Sequence, residues 1–346
     1  MAKTKDQRVT VKDIAREAGV STALVSFVMC NEYSGGSYRV SPETTKRILD
    51  VAKELDYHPN TAAKSLKSGR FNTIGVIISD ISNPFFSEIA RLIENGAYKR
   101  DYTVLFGSTD ESSDKLCQLV DVFISKGVDG IIIVPCDGSD SYILQMESKK
   151  IPVVLIDRTI PGTRFPSVTL DNAAAARIMT STLIGKGYRH IEMVSYTMRT
   201  SNIKDRESGY ASAMADAGLG EFTRINTVEY TSYMDQVENI MNEADERGVE
   251  AFVFATNNLA TRGMLSIYRR SHGNVDAGGI GIACFDKADI ADVYPDGLVY
   301  ATQPLSMFAG NALDILFGQI DGDTQAKHCG MDTKLSPEII DTTRQN

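Results

Sequence analysis

The chain of 346 residues has room for more than one domain, and at 42% hydrophobic it carries ample material for a core. Its formal net charge of −9 argues against nucleic-acid binding along the whole length. No stretch reaches the roughly 18 to 20 apolar residues of a membrane span.

The charge is unevenly divided. Residues 1–70 hold 12 Lys+Arg against 8 Asp+Glu, whereas the remainder holds 24 against 37. A mildly basic head therefore precedes an acidic body, and any contact with phosphate should be confined to the head. The opening MAKTKDQRVT is charged and lacks the apolar core of a secretory signal. The five cysteines are odd in number, widely spaced and without a CxxC pair, so free thiols in a reducing cytoplasm are expected. The four histidines share no ligand-like spacing, and no linear signature of a hydrolase, zinc protease or phosphate loop occurs. No metal, no cofactor and no catalysis are expected.

Val11 to Cys30 reads as two short helices broken at Gly19, a residue that can take the positive φ of a sharp turn. Ile14, Ala15 and Ala18 give the first helix an apolar stripe, and Leu24, Val25, Val28 and Met29 give the second another. Thr10, with Asp13 three residues on, and Ser21 stand at the two N-cap positions. The pattern predicts a helix-turn-helix that lays its second helix in the major groove of DNA, although a plain helical hairpin has the same periodicity. Ser41-Pro42 opens a third helix whose Ile48, Val51, Ala52 and Leu55 could close a three-helix core.

From Thr73 onward strands and helices alternate. The apolar runs predict strands at Ile74–Ile78, Thr103–Phe106, Gly130–Val134, Val153–Ile156, Ile191–Ser195, Ala251–Ala255 and Gly281–Phe285. Helical patterns fall near 84–99, 112–126, 171–186, 204–217, 233–247, 257–270 and 304–320. Continuous apolar strands such as GIIIV belong in parallel sheets covered on both faces. The expected architecture is an all-α headpiece followed by a doubly wound α/β body large enough for two lobes. In such folds ligands sit at the carboxyl ends of strands and between lobes.

The order of elements and the motifs VTVKDIAREAGVSTALVS, LDYHPN, AAKSLKSG, TIGVIISDISNPFF, GVDGIIIVP, PVVLIDR, KGYRHI, DRESGY, ATNNLATRGML, CFDK and TQP resemble the lactose-repressor (LacI/GalR) family of bacterial transcription regulators across nearly the whole chain. The resemblance implies a headpiece at 1–59, a hinge helix or linker at 60–70, and a type I periplasmic-binding-protein-like body at 71–346. The first lobe would take about 71–170 and 302–330, and the second about 171–301 and 331–346. Crossings between lobes are expected near Thr169–Asn172, Ala301–Pro304 and His328–Lys334. The implied partners are double-stranded operator DNA, a second copy of the chain in a homodimer, and a small-molecule effector. The absence of apolar heptads in the last residues favours a dimer over a tetramer.

By position, Thr10, Ser21, Thr22, Ala23, Ser26 and Phe27 are the expected DNA-facing residues of the head. Phe27 departs from the family, which commonly has Arg there; it either packs in the core or touches a thymine methyl. Residues 31–39 are an insertion relative to the family's short turn. In the hinge, Leu66 matches the leucine that wedges between base pairs. Ala63 would let paired helices approach, and Lys64 and Lys67 would reach the backbone. For the effector, the residues after strands are Asn83, Phe85, Phe86, Asp157, Arg158, Asn257 and Asp286, joined by Arg206 in DRESGY and Gln303 at a crossing; Cys136 is weighed with them. Asp157 and Asn257 could equally serve as caps, and one of the two phenylalanines as core. Carboxylates, amides, guanidinium and an aromatic face together suit a neutral sugar. A sugar-binding transport protein and a sugar-acting α/β enzyme are the competing readings; salt-dependent DNA binding or turnover would separate them.

Overall fold

The computed structural model describes residues 9–34, 40–57, 69–270, 279–293, 298–322 and 332–342. The chain divides into two compact units, one ending at Phe71 and the other beginning at Asn72.

The first unit contains α1 (Val11–Glu17), α2 (Thr22–Ser34) and α3 (Pro42–Glu54). Thr10 donates from its backbone N–H (3.1 Å) and its hydroxyl (2.8 Å) to Oδ2 of Asp13, and these bonds hold the Asp13 carboxyl below its ordinary range. Ser21 Oγ accepts the Leu24 N–H at 3.2 Å, and Ser41 Oγ accepts the Thr44 N–H at the same distance. Gly19 turns the chain at φ +65°, a left-handed conformation that favours glycine. Ile14, Val25, Val28 and Ile48 are fully buried and form the core with Ala15, Ala18, Met29 and Ala52. Helix α2 continues through Ser34, a full turn beyond the end expected at Cys30.

The second unit is two lobes with matching sheets. The elements of the first part are β1 (Thr73–Ile78), α4 (Pro84–Tyr98), β2 (Thr103–Ser108), α5 (Ser113–Ser125), β3 (Gly130–Ile133), α6 (Asp140–Met146), β4 (Val153–Ile156) and β5 (Ser167–Leu170). There follow α7 (Asn172–Gly185), β6 (Ile191–Tyr196), α8 (Ser201–Asp216), β7 (Arg224–Val228), α9 (Tyr233–Arg247), β8 (Ala251–Phe254), α10 (Asn257–Arg270), β9 (Gly281–Phe285) and β10 (Leu298–Thr302). Helix α11 (Leu305–Asp321), β11 (Thr333–Leu335) and β12 (Glu338–Asp341) complete the chain.

The first sheet runs β11-β5-β4-β3-β1-β2, parallel throughout; the second runs β12-β10-β9-β8-β6-β7, parallel except for the antiparallel β12. Strands β3, β4 and β8 are buried along their whole length, as expected of sheets covered on both faces.

Two features differ from the sequence expectation. Strands β5, β7, β10, β11 and β12 stand outside the expected set; they are three to five residues long, and each carries at least one polar residue. More consequentially, β11 pairs with β5 and so belongs to the first lobe, not to the second lobe proposed for 331–346. The third crossing therefore falls at Ser336 and Pro337, between β11 and β12, and not at His328–Lys334. The reason is that the short TKL strand finds its backbone partners on the free edge of β5, a pairing that no periodicity encodes. Helix α11 returns to the first lobe: its Gln319 accepts the Val153 N–H of β4 at 3.1 Å, and Asp314 pairs with Arg100 at 2.5 Å.

Candidate functional site

In the first unit, the inward residues of α2 are Val25, Val28 and Met29, which leaves Thr22, Ala23, Ser26 and Phe27 on the opposite, solvent-facing side. Phe27 is 42% exposed, so the core-packing alternative is ruled out. Thr10 and Ser21 are exposed beside this face at the two helix starts. Ala63, Lys64, Leu66 and Lys67 lie outside the described residues, as does Arg39 of the insertion.

In the second unit, one cavity lies between the lobes. All nine effector candidates line it: Asn83, Phe85, Phe86, Asp157, Arg158, Arg206, Asn257, Asp286 and Gln303. Cys136 does not; it is buried against Thr109, 3.1 Å from the hydroxyl. The free interior is about 50 Å³, room for a few waters and too little for a monosaccharide.

Strand ends position the carboxylates. Asp157 follows β4 and Asp286 follows β9, at φ +65° and +60° respectively, and each donates its backbone N–H at 2.9 Å to the neighbouring strand: Asp157 to Val168 and Asp286 to Ala301. Left-handed backbone at a non-glycine residue costs about 1–3 kcal/mol and persists where the surroundings enforce it. Here it turns both carboxylates into the cleft. Asp157 accepts from Asn202 Nδ2 at 3.0 Å and stands 3.5 Å from Arg158 Nε. Burial lifts its carboxyl above the ordinary range in spite of Arg158 and Arg206 nearby. Burial pushes Asp286 up to about 6, against the opposing bond from Gln303 Nε2 at 2.8 Å.

The guanidiniums are held firmly. Arg206 reaches the cleft because α8 packs closely on α7; a Cβ at Gly209 would lie 2.2 Å from the Ala173 carbonyl oxygen. Its Nε donates to Asn172 Oδ1 at 2.8 Å and its Nη1 to the Ala255 carbonyl at 2.6 Å. Its carbon centre stacks 3.8 Å from the Phe285 ring centroid. Burial lowers its pKa from the ordinary arginine value. Arg158 meets Glu111 with both terminal nitrogens, at 2.7 and 2.6 Å. Burial opposes the Arg158 charge, yet Glu111 outweighs it and leaves the guanidinium harder to deprotonate than usual.

Hydrogen bonds tie the lobes across the cleft. Tyr230 donates to Asp80 at 2.8 Å, the amides of Asn83 and Asn257 face each other at 3.4 Å, and Ser201 Oγ accepts the Thr159 N–H at 2.9 Å. Asn83 also caps α4, its Oδ1 accepting the Phe85 N–H at 3.0 Å. Phe85 and Phe86 are both buried, edge to face at 4.9 Å. Sequence reasoning missed Asp80, Glu111, Tyr196, Asn202 and Tyr230. Tyr196 ends β6, so the rule that found Asp157 would have found it.

A helix-turn-helix unit joined to a two-lobed α/β body with a polar cleft defines a DNA-binding regulator built to sense a small molecule. The chain belongs to the LacI family of bacterial transcription regulators. Residues 72–281 match the family of periplasmic binding proteins and the sugar-binding domain of LacI regulators, and residues 10–60 match the bacterial regulatory proteins of the lacI family. Among curated proteins, catabolite control protein A of Priestia megaterium is 31% identical over 331 residues, covering 91% of this chain and 94% of the relative. Among solved structures, the lac repressor dimer bound to operator and the anti-inducer ONPF superposes with a TM-score of 0.81 at 20% identity, covering 98% of this chain and 100% of that one. The Cra regulator of Pseudomonas putida in complex with fructose 1-phosphate matches with a TM-score of 0.69 at 23% identity, over 79% of this chain and 99% of that one.

Proposed function

We propose that the chain acts as a homodimeric repressor whose headpieces read operator DNA through Thr10, Ser21, Thr22, Ala23, Ser26 and Phe27. The hinge residues Ala63, Lys64, Leu66 and Lys67 complete the contact in the minor groove. The effector is a sugar, bound between the lobes by Asn83, Phe85, Phe86, Asp157, Arg158, Arg206, Asn257, Asp286 and Gln303. It works in the cytoplasm, at the nucleoid, and does not turn its ligand over. The observation that carries the effector reading is the convergence of all nine of these side chains on one cavity.

A sugar can control DNA binding only if it favours one arrangement of the lobes over another. The closed cleft, with its cross-lobe bonds and small volume, supplies one such arrangement; a sugar requires a more open one. Thymine methyls suit the apolar Phe27 better than guanine edges do. Selection of bound DNA from a random library, with and without sugars, tests both halves. An enriched sequence whose recovery changes with a sugar supports the proposal; salt-independent binding, or recovery that no sugar alters, overturns it. Phe27→Ala should change stability by under about 0.5 kcal/mol, because the ring is exposed. It should relax the preferred sequence at one base pair of each half-site.

A further inference from the structure

Six side chains that carry charge at neutral pH line the cleft: Asp80, Glu111, Asp157 and Asp286 against Arg158 and Arg206. Two aspartates from the strand ends would balance two guanidiniums. Glu111 and Asp80 tip the balance to negative, and no lysine or histidine lines the cavity to restore it.

Neither guanidinium offers both terminal nitrogens to clamp an anion. Arg158 is engaged by both oxygens of Glu111, and its Nη1 also donates to the Pro135 carbonyl at 2.8 Å. Both side chains of this pair are at most 7% exposed. Arg206 spends two nitrogens on Asn172 and Ala255 and its face on Phe285. A phosphate or carboxylate would have to displace Glu111 from a bidentate pair and would then add to the negative excess.

Glu111 is held in place from behind. It and Asp110 adopt left-handed backbone in succession, at φ +60° and +52°, and the Ser79 hydroxyl donates to Glu111 Oε1. The polar atoms left over in the cavity wall are two acceptors, one donor (Arg158 Nε) and the Tyr196 hydroxyl, which can serve as either. Asp157 Oδ1 and Gln303 Oε1 are buried in the cavity wall without a hydrogen-bond partner among the described residues. Buried acceptors of this kind call for donors. An ammonium group brings three N–H donors, no acceptor and the missing positive charge.

We propose that the effector is a polyhydroxylated molecule carrying a protonated amine, an amino sugar, and that Glu111 is the specificity residue that turns away phosphorylated and acidic sugars. This rests on the reading of the cleft as a sugar site. The raised carboxyl of Asp286 accords with it, since an ammonium close by would restore that group's charge.

The test is calorimetry on the full chain at pH 7 with matched probes: glucosamine, galactosamine and mannosamine, their neutral parents, their N-acetyl derivatives and the parent 6-phosphates. At least one amine should bind ten-fold or more tighter than its parent. N-acetylation, which removes the charge, should abolish that advantage, and the phosphates should not bind. Glu111→Gln should narrow the preference for the amine at least ten-fold and admit the 6-phosphate, as Arg158 is released. Where that variant does not fold, the N-acetyl comparison on the unaltered chain decides alone. Equal binding of amine and parent, or tightest binding of a phosphate, overturns the amine assignment and leaves the sugar reading standing. Binding of no probe at all overturns both.

Discussion

The two lobes are built on one plan, and the cleft shows where they part company. Each has a six-stranded sheet in the same order, and each sends an aspartate into the cleft from a left-handed position after the corresponding strand, Asp157 after β4 and Asp286 after β9. Around Asp157 the first lobe assembles a charged group, with Arg158 beside it and Glu111 behind. Around Asp286 the second lobe places a neutral amide, Gln303. The same backbone device thus presents a carboxylate inside an ion-pair network on one side and a nearly isolated one on the other. In both lobes burial raises the carboxyl above its ordinary range; in the first it is opposed chiefly by the charges of Arg158 and Arg206, in the second chiefly by the hydrogen bond from the neutral Gln303 amide.

Removing the partner should hurt the charged side more. Arg158→Ala strands Glu111 and Asp157 in the interior and should cost about 3–5 kcal/mol in urea unfolding, whereas Gln303→Ala should cost about 1–3 kcal/mol. Equal losses would mean that the two carboxylates are not differently supported. The next effect concerns pH. Because Asp286 is lifted to about 6 from an ordinary value of 3.8, the folded chain keeps a proton that the unfolded chain releases. Its contribution to stability is therefore present at low pH and falls as pH rises from about 4 to 6. Asp286→Asn should be more stable than the parent at pH 7 by on the order of 2 kcal/mol, with no gain below pH 4. Thermal melts across that range would show a constant gain if the group were not titrating. The smallest change is Tyr230→Phe, which deletes the bond to Asp80 across the cleft. It should cost about 1 kcal/mol, and should speed the association of any ligand that requires the lobes to part.

Much of this comparison was legible in the residues. The periodicity of Ile14, Val25 and Ile48 located the head, and GIIIV and VVLI located the buried strands. Residues directly after apolar runs supplied Asp157, Arg158, Asn257 and Asp286, because a strand's carboxyl end is fixed as soon as the strand is found. Glu111 escaped because β2 was expected to stop at Phe106, and an acidic TDES segment reads as an ordinary solvated loop. Tyr230 escaped because β7 carries no apolar run. The membership of β11 was invisible for a different reason: sheet edges are chosen by backbone hydrogen bonds, and those leave no mark on a three-residue sequence.

The return of α11 to the first lobe has a consequence for how the polypeptide is made. Phe308, Leu313 and Leu316 fill the first lobe's interior, yet the ribosome adds them after the last main strand of the second lobe. The head, by contrast, contains every residue of its own core by Ala52. Since domains fold as units in the order in which they emerge, the DNA-reading helices are finished early. The first lobe of the sensor, begun before the second, must await this late segment to complete its core. A nascent chain arrested before residue 305 would therefore carry a competent reader and no working sensor.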